Sequence, residues 1–128
     1  MSLRCPRCGG PVRPSLDQLE CEECEWFKKL RSKPRRDTRL KWMKEYTRRF
    51  LREEFDDCGV AEVIVRGPRG KGTGYLAATV YVDDHHRAIG KDGSRVKEVE
   101  ENLETLADEL GVPPVRITVH PSSALGRR

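Results

Sequence analysis

Apolar residues follow different rules in the two parts of this chain. Beyond residue 37 they recur at regular intervals, and each interval predicts an element. Leu40, Met43, Tyr46 with Thr47, Phe50 and Leu51 repeat at the spacing of one helix face. This predicts a helix over 37–55, with Asp37 as its N-cap and Gly59 as the stop beyond its end. A β-branched run over 60–65 predicts a strand, and 75–82 predicts a second. Glycines 67, 70, 72 and 74 between them mark a hairpin connection that carries two cations, Arg69 and Lys71. It is not a phosphate loop, because Lys71 is followed by Gly72 rather than by Ser or Thr. Residues 83–89 suit two helical turns. Val96, Val99, Leu103, Leu106 and Leu110 predict a long helix from Ser94 to a stop at Gly111. Its outer face, with Glu98, Glu100, Glu101 and Glu104, is expected in solvent. Val115, Ile117 and Val119 alternate with polar residues, which predicts a half-buried strand over 115–120.

Ahead of this region the pattern fails. Leu3, Val12, Leu16, Leu19, Trp26 and Phe27 are nearly all the large apolar groups in residues 1–27, too few to support a core alone. The segment has instead Cys5-Pro6-Arg7-Cys8 and Cys21-Glu22-Glu23-Cys24, two C-x2-C pairs separated by twelve residues. Each pair sets two thiolates on one tight turn, and two facing turns make the closed four-sulfur site that zinc prefers. Gly9 and Gly10 follow the first pair, where the chain must bend. Disulfides do not suit a chain without a secretion signal, and a redox C-x-x-C lacks its strand–helix context. An iron centre on the same sulfurs stays open. Residues 1–27 resemble the zinc-ribbon family, departing from it at Glu25, where ribbons usually carry Gly. The resemblance implies one structural Zn2+ on Cys5, Cys8, Cys21 and Cys24. Glu20, Glu22, Glu23 and Glu25 make the second knuckle acidic, so Arg4, Arg7 and Arg13 are the better candidates for any phosphate contact by this part.

Charge separates the two parts further. The 128 residues carry a formal +4, with charged and hydrophobic fractions both 36%. Residues 28–52 hold twelve Lys and Arg against two acids, Asp37 and Glu45, a local +10. Within it, 28–36 reads as a basic connector: Lys28, Lys29, Arg31, Lys33, Arg35 and Arg36 with one Leu and one Pro. Packing six cations together is costly unless an anion lies near, which points to nucleic acid. No apolar run approaches the ~20 residues of a membrane span, and no signal peptide is visible, so a cytoplasmic location is expected. A single Gln and a single Asn in so charged a chain suggest a heat-adapted source.

The expected order from residue 37 is helix, strand, strand, short helix, glycine turn, long helix, strand. In it, Ile89-Gly90-Lys91-Asp92-Gly93-Ser94-Arg95-Val96 resembles the Ile-Gly-x-x-Gly signature of the KH domain, and the order is that of its type II variant. The resemblance covers residues 37–120, leaving 121–128 as a C-terminal tail. It implies an α+β fold: a small four-Cys zinc ribbon plus a type II KH domain (α-β-β-α-GxxG-α-β), with helices on one face of a three-stranded sheet. It also implies single-stranded RNA at the loop. Gly90 and Gly93 would allow close backbone approach, Lys91 would face phosphate, and Ile89 would line the groove under the bases. Arg87, Arg95 and Lys97 would add charge. Asp92 departs from the usual small or basic loop residue, and would either repel phosphate or cap the helix.

The expected function is RNA binding in transcription, ribosome assembly or RNA processing, with no enzymatic constellation. His85 and His86 are adjacent and make a poor chelate; Cys58 and His120 receive no role. Two alternatives stand beside it. One is a protein-docking factor of the ribosome or RNA polymerase with a degenerate scaffold. The other is a DNA-binding regulator.

Overall fold

The computed structural model describes residues 3–70 and 74–126. It is a mixed α+β structure with two three-stranded sheets. The first sheet is an antiparallel meander of β1 (Val12–Pro14), β2 (Gln18–Cys21) and β3 (Phe27–Lys29), extended by a bridge between Arg4 and Pro11. Then come α1 (Arg36–Glu54), a 3-10 turn (Asp56–Cys58), β4 (Val60–Arg69) and β5 (Tyr75–Val82). A short α2 (His85–Ile89) and a 3-10 turn (Lys91–Gly93) lead into α3 (Ser94–Leu110), β6 (Val115–Pro121) and a closing 3-10 turn (Ser122–Gly126).

The second sheet has the order β4-β5-β6. β4 and β5 are antiparallel and close the hairpin; β5 and β6 are parallel and are joined through α2 and α3. A parallel neighbour requires such a crossover, because a tight turn cannot reverse the chain twice. Along β5 burial alternates strictly. Leu76, Ala78, Val80 and Val82 are buried, while Tyr75, Ala77, Thr79 and Tyr81 are half-exposed. The first set meets α1 and α3, which pack on β4 and β5 and on β6 respectively, and on each other. The second set forms an opposite face that, among the described residues, neither α1 nor α3 covers; the closing 3-10 turn touches β4, β5 and β6.

α1 is buried on two sides. Met43, Leu51 and Thr47 are fully enclosed, and Trp42 and Tyr46 nearly so. Leu3, Val12 and Leu19 of the cysteine-bearing segment belong to the same buried cluster as Trp42, Met43 and the sheet residues. The first sheet is therefore seated on α1. Arg49 of α1 donates to the Val12 carbonyl and to the Glu22 carboxylate at 3.0 Å, and Arg13 pairs with Glu109 of α3 at 2.9 Å.

Several expectations need correction. Asp37 is not the N-cap: α1 starts at Arg36, Arg35 occupies the cap position, and no side chain caps it. Asp37 lies in the first turn, where its charge still suits the helix dipole. The start is held instead by Arg39, whose guanidinium donates to the Pro34 and Leu110 carbonyls. Phe27 is 60% exposed rather than part of a core. It lies on edge strand β3, all three residues of which face outward, while the space under the sheet is filled from α1. Residues 28 and 29 belong to β3, so the basic connector begins inside the sheet. β4 extends to Arg69, past the expected end at 65, because a register shift between Arg66 and Arg69 carries it by Gly67 and Pro68. Lys71 of the hairpin loop lies outside the described residues, as do the last two of the expected tail. Pro121 of that tail ends β6, and Ser122–Gly126 form a 3-10 turn tied to Asp83 through Ser122.

Leu76 has no exposed surface and lies where the sheet meets the helices. Leu76→Ala is expected to lower unfolding free energy by about 2–5 kcal/mol, read from urea denaturation at neutral pH.

Candidate metal centre and nucleic-acid interface

The sulfurs of Cys5, Cys8, Cys21 and Cys24 all lie within 4.8 Å of one another. Cys5 and Cys24 are 3.6 Å apart, and Cys8 and Cys21 3.5 Å. Four sulfurs at ~2.3 Å from a tetrahedral ion stand about 3.8 Å from each other, so two pairs already match that spacing and the widest separations need close by no more than about 1 Å. Each sulfur also accepts backbone amides: Arg7 to Cys5, Gly10 to Cys8, Glu23 and Cys24 to Cys21, and Trp26 to Cys24, at 3.3–3.4 Å. Such donors favour thiolate over thiol. Glu25 does not strain the second knuckle, since Asp92 is the one non-glycine residue with positive φ among those described.

Cys5 and Cys8 do not ionise alike. Burial pushes the Cys5 thiol up, but the Cys8 and Arg7 amides outweigh it and hold it at about 7. The Gly10 amide favours ionised Cys8, yet its sulfur neighbours Cys21 and Cys24 push it up to about 12. Four anions at contact distance repel, so the group resists full deprotonation until a cation takes the place of its protons. The four cysteines are thus positioned to hold a metal ion, with a donor set consistent with zinc.

The second site is the turn over residues 90–93. Gly90, Asp92 and Gly93 have φ of +80°, +56° and +76°. The two glycines do different jobs. A Cβ on Gly90 would lie 2.6 Å from the Arg95 Cβ, so Gly90 lets the turn fold onto the first turn of α3. A Cβ on Gly93 would meet nothing within 4 Å, so the backbone there is open to a ligand. Lys91, Asp92 and Lys97 are exposed, and Ile89, the last residue of α2, is half-buried. Asp92 does not cap α3, whose N-terminus has no side-chain hydrogen bond.

Arg87 and Arg95 are engaged elsewhere. Arg95 binds both carboxylate oxygens of Asp57 at 2.6 and 3.1 Å, and also donates to the carbonyls of Glu54 and Arg87 and to the Cys58 sulfur. Arg87 reaches the same carboxylate at 2.9 Å. Sequence reasoning missed Asp57 altogether, because its partners lie 30 and 38 residues away. The Arg95 hydrogen bonds, working against desolvation, hold the Asp57 carboxyl at about 2. Burial pushes the Cys58 thiol up, in keeping with a structural role.

The connector cations Lys28, Lys29, Arg31, Lys33, Arg35 and Arg36 are all exposed. None pairs with a carboxylate among the described residues. Lys28, Lys29 and Arg31 line a groove of about 440 Å³ against Thr38 and Trp42. The structure does not bring this group to the turn. Arg95 joins the start of α3 to the end of α1, and Arg39 joins the start of α1 to the end of α3. The helices are antiparallel, and turn and connector lie at opposite ends of α3, about 25 Å apart for 17 residues at ~1.5 Å each.

Two outcomes are expected. A titration should show one divalent metal ion per chain, and a strong chelator should remove amide-exchange protection from β1–β3 while β4–β6 and α3 keep theirs. The second concerns acid. Asp57 is held below its ordinary 3.8, so its ion pair stabilises the fold above about pH 4 and loses that contribution as pH falls toward 2. Asp57→Asn is expected to be less stable at neutral pH and to lose less stability than the wild type across that window in urea melts. The chain was compared with protein-family models and with curated proteins, and matches none of either.

Proposed function

We propose that this chain binds single-stranded RNA at the turn over 90–93, as a type II KH domain fastened to a zinc ribbon. The observation that carries this reading is the open, uncapped start of α3 beside Gly93. Amides at a helix start, with its dipole, form a ready cradle for phosphate. Lys91 and Lys97 supply charge, and Ile89 supplies an apolar floor. The element order from α1 to β6 and the mixed sheet agree with the type II arrangement. Arg87 and Arg95 act as positioning residues through Asp57 rather than as phosphate ligands. Asp92 opposes a phosphate, so affinity rests on the two lysines and the backbone.

In this reading Cys5, Cys8, Cys21 and Cys24 hold zinc. Four thiolates fill its shell and leave no position for water, so the metal is structural. The connector supports binding only for longer RNA. The loop of a KH domain clamps about four nucleotides, which do not span the distance along α3 to Lys28 and Arg36.

Titration of a short single-stranded RNA across a salt series tests the proposal. Neutralising three or four phosphates at ~0.7 each gives a log–log slope of about −2 to −3. Lys91→Asp should weaken binding at least about tenfold at low salt. Charge reversal in the connector should matter only for longer RNA. Equal affinity for duplex DNA would favour the DNA-binding reading. No RNA affinity at low salt would favour a docking factor of the ribosome or RNA polymerase.

A further inference from the structure

The face of the second sheet turned away from the helices carries chemistry that neither the metal centre nor the turn uses. Arg66 and Arg69 of β4 and Arg116 of β6 are exposed on it. Register places Arg66 beside Ala77, and Ala77 beside Arg116, so a small residue separates two guanidinium groups across three strands. None of the three arginines pairs with a carboxylate among the described residues. Arg116 lies over the Tyr75 ring, 5.1 Å from its centroid. At the other end of the strands Tyr81 stacks on His120, with centroids 5.7 Å apart and planes 29° apart. Between these ends Ile64, Thr79 and Ala77 floor a groove of about 250 Å³.

A purely structural account does not fit these residues. Like charges close together across strands oppose a sheet; only Arg116, over Tyr75, has a stabilising contact here, and Arg66 and Arg69 have no acid partner among the described residues. Glu62, opposite Tyr81, is the acid that β4, β5 and β6 bring to this face. The hairpin half is therefore cationic, and the half toward α2 is aromatic. Cations along a groove with ring faces beside it are the two parts of a single-strand binding surface: one follows the backbone, the other stacks on unpaired bases. A duplex offers no free base faces to such rings.

We propose that this uncovered face is a second platform for single-stranded RNA, with phosphates on Arg66, Arg69 and Arg116 and a base on the Tyr81–His120 pair. This rests on the reading of RNA as the ligand, but on none of the residues of the turn. Only Asp83 and Asp84 separate β5 from α2, so the aromatic end of the face is the end nearer the turn. One strand of RNA leaving the turn meets the aromatic pair first and the arginines after it.

The test is fluorescence anisotropy of the full chain, metal-loaded, with a labelled single-stranded RNA long enough to cross the sheet. Arg66→Ala with Arg116→Ala removes two phosphate contacts, so the salt slope should become shallower by about 1.4. Tyr81→Ala should weaken binding at least about fivefold, the lower bound for one lost stacking contact, and Tyr81→Phe should not. Both arginines are exposed, so the double variant should keep the wild-type melting midpoint. That keeps the test valid even if Tyr81→Ala folds poorly. Ultraviolet cross-links should map to the peptide carrying Tyr81 or His120. Wild-type binding that Lys91→Asp weakens, but that stays within twofold and at the same slope in the sheet variants, overturns the platform and leaves the turn intact. Equal losses on duplex and single strand, with no effect of Tyr81→Ala, also overturn it. A wild type with no RNA affinity removes both readings together.

Discussion

Arg95 gathers four acceptor groups, from the end of α1, the 3-10 turn after it and α2, around one guanidinium. Its donors satisfy the Glu54 carbonyl at the end of α1, the Asp57 carboxylate, the Cys58 sulfur and the Arg87 carbonyl in α2. It also lies over the Phe55 ring, 5.2 Å from the centroid. Planar, forked and always charged, it meets all of these at once in a way that a lysine point charge does not. The geometry of the turn follows from it. The backbone over 90–93 must fold onto the root of this side chain, and Gly90 is the residue that fits there. Gly93 is left clear, and the start of α3 faces outward. One arginine thus converts a flexible sequence into a defined, open helix start, and Arg87 joins the same carboxylate.

α1 does comparable work for the rest of the molecule. It forms the wall between the cysteine-bearing sheet and the second sheet, with buried residues from both against it. The ion pairs across this contact are partly exposed and contribute little each. The apolar contacts of Leu3, Val12 and Leu19 with α1 matter more, since burial of such side chains is worth about 1.5–3 kcal/mol each. They also explain how so poor a segment folds: it borrows a core from α1 and a cross-link from its sulfurs. The acidic knuckle then has a local use, since Glu22 faces Arg49 and receives a hydrogen bond from Tyr46.

Local features were legible in the sequence and non-local ones were not. Period and punctuation located α1, β5, α3 and β6 because each is an unbroken amphipathic run with a glycine or proline close to at least one of its ends. The cysteine pairs were legible because chelate geometry is fixed by a spacing of two. Asp57 was illegible: it lies in an acidic pair after α1, and its importance comes from side chains far along the chain. Asp37 misled because a good capping residue stood near a helix start that Arg39 holds by other means. Phe27 misled because a large apolar residue three positions after Cys24 reads as core, whereas it lies on an edge strand that is exposed along its length. The place of the connector was not legible either. Its six cations lie at the end of α3 away from the turn, because antiparallel packing of α1 on α3 puts the start of α1 beside the end of α3.

That reversal changes how the net charge is understood. A formal +4 suggests one diffuse patch, yet, besides the cations along α1 and in the cysteine-bearing segment, three separate groups stand apart: the connector groove, the turn, and the uncovered sheet face. Four thiolates on a divalent ion add −2, so a metal-loaded chain is nearer neutral still. Over ~25 Å, well beyond the ~8 Å screening length at physiological salt, these groups do not act as one field on a small anion. Each acts only on a ligand that touches it. Acids are absent from the connector and reduced to Glu62 on the sheet face; beside the turn Asp57 is neutralised by arginine, while Asp92 stays exposed within it. The acidic side of α3 lies between the two ends. A ligand that gains from all three positive sites must therefore be an extended polyanion that follows the edge of the fold, and a compact anion gains from only one.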